Sequence, residues 1–371
     1  MATMALTDQV LLLGSSQENE LFVADAVTGG QLYLFKNCKP ARSGVQVVPR
    51  TEHVVAVQDG KLALHMWAWS KDMPTYKCHT AEKMGPTAVY VWDVKTGELV
   101  MVWDAHYKGV SAIALTSDDS HIITAGEDAV VHVWRLMDVL DEPDVTSSFA
   151  QGLSPVVSWT DHVLPVTSIH VGSGGVNARV FTSSLDRTCK VWSLNSSQCV
   201  FSVTCPSFVN VCMTDPLEHR LFLGCGNGKI YTIDLNAAAT AVTAATARII
   251  SSSSQGNVAG LSSKPWGQEA QLPDTFEGHE VGVTTLQVSE CGGFLISGDE
   301  SGAVRVWDSL SRQSLRTIKL FKGTVSTLTL LPRPKSLFHK FKTTRLEEPV
   351  PLPIAPFKKY MGAAQNANNS S

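Results

Sequence analysis

No stretch of this chain approaches the ~18 consecutive apolar residues of a membrane-spanning helix. The first apolar run, Val10 to Leu13, is only four residues long, with no basic stretch ahead of it. A secretory leader is therefore not expected. Cysteine is sparse: the eight at 38, 78, 189, 199, 205, 212, 225 and 291 form no Cys-x-x-Cys pair, and no His pair adjoins them. That spacing argues against zinc and thioredoxin-like sites and predicts reduced thiols in a cytosolic or nuclear chain. There is no Gly-x-Ser-x-Gly elbow. The run GCGNGKIY (224–231) fails as a phosphate loop because Ile230 follows Lys229 where Ser or Thr is needed. Neither charge sign dominates: 30 Lys+Arg stand against 34 Asp+Glu, net −4, which argues against a wholesale polyanion binder. Helical periodicity is nearly absent.

What the chain does have is apolar residues, 44% of its 371, and a repeat. Four segments share a β-branched run, a Gly/Ser/Asp turn and a second run ending in Trp. They are TAVYVWDVKTGELV (87–100), HIITAGEDAVVHVWRL (121–136), RVFTSSLDRTCKVWSL (179–194) and GFLISGDESGAVRVWDS (293–309). Alternating Val131, Val133 and Val304, Val306 have the period of half-buried strands, and the turns between runs have hairpin chemistry. Three weaker copies end at Trp67, at Ile233 and at Ala24. The seven anchors 24, 67, 92, 134, 192, 233 and 307 are spaced 43, 25, 42, 58, 41 and 74 residues apart. Three spacings match the ~40–45-residue period of a propeller blade.

The other three spacings need separate explanations. The longest contains an Ala/Ser-rich stretch, 236–275, read as a flexible insertion between blades, with an Ala-rich helix at 237–248 as the alternative. The 58-residue spacing fits a smaller loop around 140–155. The 25-residue spacing between Trp67 and Trp92 leaves room for the outer strand of blade two and the Trp strand of blade three, but none for two inner strands. Either blade three is truncated, or six blades close and two strands are left on the rim.

Upstream of three anchors, polar residues recur in register. His106, Thr124, Asp128 and Trp134 form one set, and His162, Thr182, Asp186 and Trp192 the next. His279, Ser297 and Trp307 form a third, with Ser301 where the Asp is expected. These sets and the Trp-Asp endings resemble the WD-repeat family, in which such residues form a hydrogen-bonded network within a blade. A catalytic triad would not recur in successive repeats, so a structural role is expected for all eleven, and no catalytic or metal site. The resemblance implies an all-β fold: a WD-repeat β-propeller over 1–330, nominally seven-bladed with blade three truncated.

A narrower resemblance rests on two longer runs. VYVWDVKTGELVMVWDAHYKGVSAIALTSDDSHIITAGEDAVVHVW is followed by HVLPVTSIHVGSGGVNARVFTSSLDRTCKVWSL, with GTVSTLTLLPRP after the last Trp. Together they are similar to the WD-repeat 18 / Ipi-three group, the WD-repeat subunit of a nuclear pre-ribosome maturation complex. The resemblance implies a non-enzymatic, cofactor-free scaffold in ribosomal RNA processing and large-subunit maturation. It implies nucleolar and nucleoplasmic localisation, with the cytoplasm as a further site. The implied partners are a large helical-repeat protein, a SUMO-protease module and a midasin-type AAA ATPase. A ubiquitin-ligase substrate receptor is the alternative that propeller geometry alone leaves open. The tail 331–371 is Pro-rich and basic, net +5 against −9 for the rest, and reads as an extended arm followed by disorder. Its cations Arg333, Lys335, Lys340, Lys342, Lys358 and Lys359 are candidates for RNA or acidic-partner contact.

Overall fold

In the computed structural model the described residues are 9–48, 51, 53–61, 63–69, 71–79, 86–140, 153–236, 274–334 and 355–358. The chain runs through β1 (Gln9–Ser15), β2 (Glu20–Asp25), β3 (Gln31–Lys36), β4 (Pro40–Val47), β5 (His53–Gln58), β6 (Ala63–Ala68) and β7 (Tyr76–His79). Next come β8 (Ala88–Trp92), β9 (Leu99–Asp104), β10 (Val110–Leu115), β11 (His121–Gly126), β12 (Val131–Arg135), the short α1 (Leu136–Leu140) and β13 (Val157–Trp159). Then follow β14 (Val166–Val171), β15 (Arg179–Ser184), β16 (Thr188–Ser193), β17 (Gln198–Thr204), β18 (Val209–Thr214), β19 (Arg220–Cys225), β20 (Ile230–Asp234) and β21 (Asp274–Phe276). The last are β22 (Val283–Val288), β23 (Phe294–Asp299), β24 (Ala303–Asp308), β25 (Ser314–Lys319) and β26 (Val325–Pro332).

These strands form six four-stranded antiparallel sheets and one two-stranded sheet, the blades of a β-propeller. Blade 1 joins the first strand to the last, in the order β26-β1-β2-β3, so Leu12 lies opposite Thr329. Blades 2, 4, 5, 6 and 7 are β4–β7, β10–β13, β14–β17, β18–β21 and β22–β25, each in sequence order. Their first strands, with β26, line the axis and pack side by side in the order β10, β14, β18, β22, β26, β4. The core lies between blades rather than within them, because a pleated strand sends alternate side chains to opposite faces. Ile123, Ala125, Val131 and Val133 of blade 4 thus pack on Val180 and Trp192 of blade 5.

Ala24 occupies the Trp position of blade 1. The next residue, Asp25, accepts backbone N–H bonds from Val27 and Thr28 on Oδ1, as Asp308 does from Leu310 and Ser311 after Trp307. The turn is the same, so the register is the same; an Asp side chain closes it by mimicking a backbone turn.

Blade 3 is the two-stranded sheet, β8 paired with β9. Its Trp strand and outer strand are present, and no inner strand accompanies them among the described residues, as the 25-residue spacing predicts. Val89, Trp103 and Ala105 pack on Ile122 and Trp134 of blade 4, so the outer half of the blade holds its usual place. Ile113 and Leu115 of β10 lie opposite Thr124 and Ile122 on that same face, yet are 52% and 50% exposed where an inner half would cover them. A six-blade closure would instead press β10 against β4, and these strands do not pack as their neighbours do.

The two long spacings also take their places. β20 pairs with β21 across residues 235–273, and β12 with β13 across 136–156. The insertion read as 236–275 therefore interrupts blade 6 instead of separating two blades, and its last two residues already belong to the outer strand β21, which corrects the sequence-based expectation. Closing a longer loop costs little more entropy, since the cost grows only as the logarithm of length. The body of the insertion, including the alternative helix, lies outside the described residues. The propeller's final strand runs to Pro332, two residues into the segment read as tail.

At blade 2, beside the missing strands, β4 makes an irregular stretch between Pro40 and Val45, with Ser43 at φ 52°. This turns Arg42 into the axis, where Nη2 donates to the carbonyl of Asn210 at 2.8 Å and of Thr284 at 3.4 Å, on the first strands of blades 6 and 7. Arg42 stays open to water, while desolvation by the surrounding strands pulls its guanidinium pKa down and the Glu300 carboxylate opposes that shift. A charge-assisted bond of this kind contributes about 1.5–3 kcal/mol. Arg42→Ala is therefore expected to lower the free energy of unfolding by about that amount in urea titrations; an unchanged midpoint would show that no such strut exists.

Candidate functional site

Each predicted polar set comes together at the rim of its blade. In blade 4, His106 Nδ1 lies 3.1 Å from Asp128 Oδ1 and Nε2 lies 2.9 Å from Thr124 Oγ1. The Trp134 indole N–H donates to the same Thr124 Oγ1 at 3.0 Å. Blade 5 repeats this geometry: His162 to Asp186 at 2.9 Å, His162 to Thr182 at 2.8 Å and Trp192 to Thr182 at 2.9 Å. Thr124 and Thr182 are fully buried, so each hydroxyl satisfies two groups that would otherwise be stranded away from water.

Blade 7 differs from expectation in one member. His279 Nε2 meets Ser297 Oγ at 2.6 Å and Trp307 donates to Ser297 Oγ at 2.8 Å. The carboxylate comes from Asp299, 2.7 Å from His279 Nδ1, so the set has four members and not three. Asp299 stands two residues before Ser301, where Gly126 and Ser184 stand in blades 4 and 5. Its Oδ1 accepts the Ser301 hydroxyl at 2.8 Å and the Ala303 N–H at 2.9 Å. Asp299 ends β23, the strand that also carries Ser297, and from there meets both the imidazole and Ser301. Counting a fixed interval from Ser297 misses it.

These carboxylates also steer the chain outward. The N–H of Tyr107, next after His106, donates to Asp128 Oδ2 at 3.1 Å, and that of Val163, next after His162, to Asp186 Oδ2 at 3.1 Å. With their amides pinned, the side chains of Tyr107 and Val163 face solvent, 97% and 82% exposed. Beside Val163 a hollow of about 510 Å³ is lined by Leu164, Leu185, Arg187, Pro206 and Phe208. Large apolar side chains held outward on a rigid rim suit protein docking. Sequence reasoning missed this surface, although an apolar residue directly after the His of a set was a readable signal in blades 4 and 5.

The remaining candidates lie elsewhere. Among the described residues no group of three or more His, Cys, Asp or Glu could hold a metal ion. No disulfide joins the cysteines among the described residues. Two tail cations proposed for RNA contact are paired within the chain: Arg333 with Asp25, and Lys358 with Glu98 at 2.8 Å. Lys358 is 53% exposed in its pair, and a surface ion pair of this kind is weak. Lys335, Lys340, Lys342 and Lys359 lie outside the described residues.

Two mutational tests probe the sets. Trp134→Ala removes a buried aromatic and the donor to Thr124, a loss of about 3–5 kcal/mol. In blade 7, Asp299→Ala should cost about 1–3 kcal/mol and Ser301→Ala well under half of that. Chemical-denaturation midpoints of the three variants check both; equal losses at 299 and 301 would return the fourth place to Ser301.

The sets also make stability depend on pH. Burial pushes the His106 imidazole below its ordinary range against the pull of Asp128, and likewise lowers His132. His170, on the first strand of blade 5 and 2.8 Å from Thr214 Oγ1, is lowered by burial to about 4. Burial works against the Asp186 and Asp299 carboxylates, but hydrogen bonds from His162 and Thr188, and from His279 and Ser301, hold both below the usual range. A depressed folded pKa means that protons bind the unfolded chain first. Stability is whole above about pH 6.5 and falls as the pH drops toward 4, with the carboxylates adding to the loss lower down. Thermal melts from about pH 7.5 to 4.5 should show this fall, shallower in His170→Gln; an equal slope removes His170 as a source.

Comparisons with known proteins accord with this geometry. The family described as "WD domain, G-beta repeat" matches residues 97–135, 153–193 and 270–308, each ending at or within one residue of the Trp of a polar set. WD repeat-containing protein 18 of Homo sapiens is 30% identical over 358 residues, covering 92% of this chain and 75% of that protein. Its Mus musculus counterpart is 29% identical over 360 residues, 92% of this chain and 76% of that protein. The pre-rRNA-processing protein IPI3 of Yarrowia lipolytica is 26% identical over 328 residues, 82% of this chain and 71% of that protein. By this similarity, and by the repeat geometry that underlies it, the chain belongs to the WD repeat-containing protein 18 family.

Proposed function

We propose that this chain is a non-enzymatic scaffold subunit in ribosomal RNA processing, working in the nucleus and nucleolus within a complex that matures the large-subunit precursor. The observation that carries the reading is similarity to a pre-rRNA-processing protein over 82% of the chain, far more than one generic repeat. The geometry supports it. The His, Asp and Ser/Thr groups that would build an active site are consumed in tying strands together, while rim residues such as Tyr107, Val163 and Phe208 project as contacts. Its partners, on this reading, are the helical-repeat protein, SUMO-protease module and AAA ATPase of such a complex. Affinity purification of the tagged chain from nuclear extract, with mass spectrometry and probing of spacer-containing pre-rRNA, tests this. Co-purified pre-ribosomal factors, and precursor accumulation on depletion, are expected. A cullin adaptor in their place would make the chain a ubiquitin-ligase substrate receptor.

A further inference from the structure

The Trp of a complete blade has two needs, a hydrogen-bond acceptor for its indole N–H and an aromatic cover for its ring. Blades 4, 5 and 7 supply the acceptor from their own second strand. The cover comes from the outer strand of the preceding blade: Trp103 on Trp134, Trp159 on Trp192 and Phe276 on Trp307, with ring centroids 5.6, 4.7 and 5.7 Å apart. Blade 3 has no second strand among the described residues. There Trp92 finds its acceptor, and an aromatic cover, in a segment more than 260 positions away in sequence.

Residues 355–358, Ala-Pro-Phe-Lys, lie against the turn between β8 and β9. The Trp92 indole N–H donates to the Lys358 carbonyl at 3.0 Å. The Phe357 ring stacks on Trp92 at 5.6 Å and 22°, and Tyr90 stacks on Trp92 at 5.4 Å and 11°. The segment's own backbone N–H groups donate to the hairpin, Ala355 to Val94 at 3.3 Å and Lys358 to Gly97 at 2.7 Å. Lys358 Nζ reaches Glu98 at 2.8 Å. Gly97 sits at φ +69°, and a Cβ there would run into the Pro356 carbonyl, so the backbone approach requires glycine.

We propose that the β8–β9 hairpin is a peptide-recognition site for an extended segment of the form Pro-aromatic-basic, held in cis by residues 355–358 and exchangeable for a partner protein's segment of the same chemistry. The hairpin provides each element such recognition uses: an aromatic face, an indole donor, two carbonyl acceptors and a carboxylate. Only four described residues make the contact, so tethering, worth an effective concentration on the order of millimolar, keeps the site filled.

The test uses the full chain and a fluorescently labelled synthetic peptide of residues 352–360. Phe357→Ala in the protein removes the stacked ring and opens the site. The peptide should bind that variant at least about tenfold more tightly than wild type, whose own segment competes. Replacing the peptide's Phe by Ala should abolish binding, and Glu98→Gln added to the opened variant should weaken it several-fold. Equal affinity for wild type and Phe357→Ala, or no binding to the variant while circular dichroism shows it folded, would overturn the proposal. A concentration-dependent dimer of wild type that Phe357→Ala abolishes would support the site, with a second copy as its donor.

Discussion

A buried indole N–H must find an acceptor, and much of this propeller is arranged around that demand. Where the second strand of a blade offers Thr124, Thr182 or Ser297, the indole bonds inside the blade and the same hydroxyl takes up the His imidazole. Where blade 2 offers Ala56 at that position, Trp67 turns to the Lys36 carbonyl of the preceding blade, at 3.2 Å. Trp159 likewise uses the Ser197 carbonyl of the next blade at 3.0 Å. Trp103 is the exception, its Nε1 buried with no hydrogen-bond partner among the described residues. Leaving such a group unpaired costs about 1–3 kcal/mol, which is why so many separate solutions occur in one fold.

The shortened blade 3 shows the consequence of deleting the local solution. With no inner strand of blade 3 among the described residues, Trp92 has no acceptor within its blade and Ile113 and Leu115 are left half exposed. The axis is crossed by Arg42 from the blade on one side of the gap, and Trp92 is served by the C-terminal segment. Both repairs act over long sequence separations, because the polar group or aromatic ring that fills each need belongs to another part of the chain.

The polar sets link folding to the exposed rim. An Asp that accepts both an imidazole N–H and the amide of the next residue leaves that residue's side chain no direction but outward. Tyr107 and Val163 are thus presented by the same bonds that hold blades 4 and 5 together. Mutations in the buried sets should therefore disturb the presentation of Tyr107 and Val163 as well as stability.

Much of this was legible in the residues themselves. Period-two runs ending in Trp, at blade-length spacing, specify strands whose apolar faces need neighbours on both sides, and a ring of sheets provides them. The His, Thr and Asp of blades 4 and 5 recur at nearly fixed intervals, so their bonds could be anticipated one by one, and the 25-residue interval exposed the missing strands by length alone. Interval counting failed where a contact depends on distance in space. Asp299 reaches His279 from the end of β23, two residues before the position that Asp128 and Asp186 hold in their repeats. The long insertion lies inside blade 6 because β20 and β21 pair across it. The ion pairs of Arg333 with Asp25 and Lys358 with Glu98 join residues more than 250 positions apart, which no local pattern announces. Local pattern determined which residues form strands and which must be buried. Which carboxylate, carbonyl or ring each buried group meets was decided by the tertiary structure, since hydrogen bonds and ring contacts act over a few ångströms and take no account of separation along the chain.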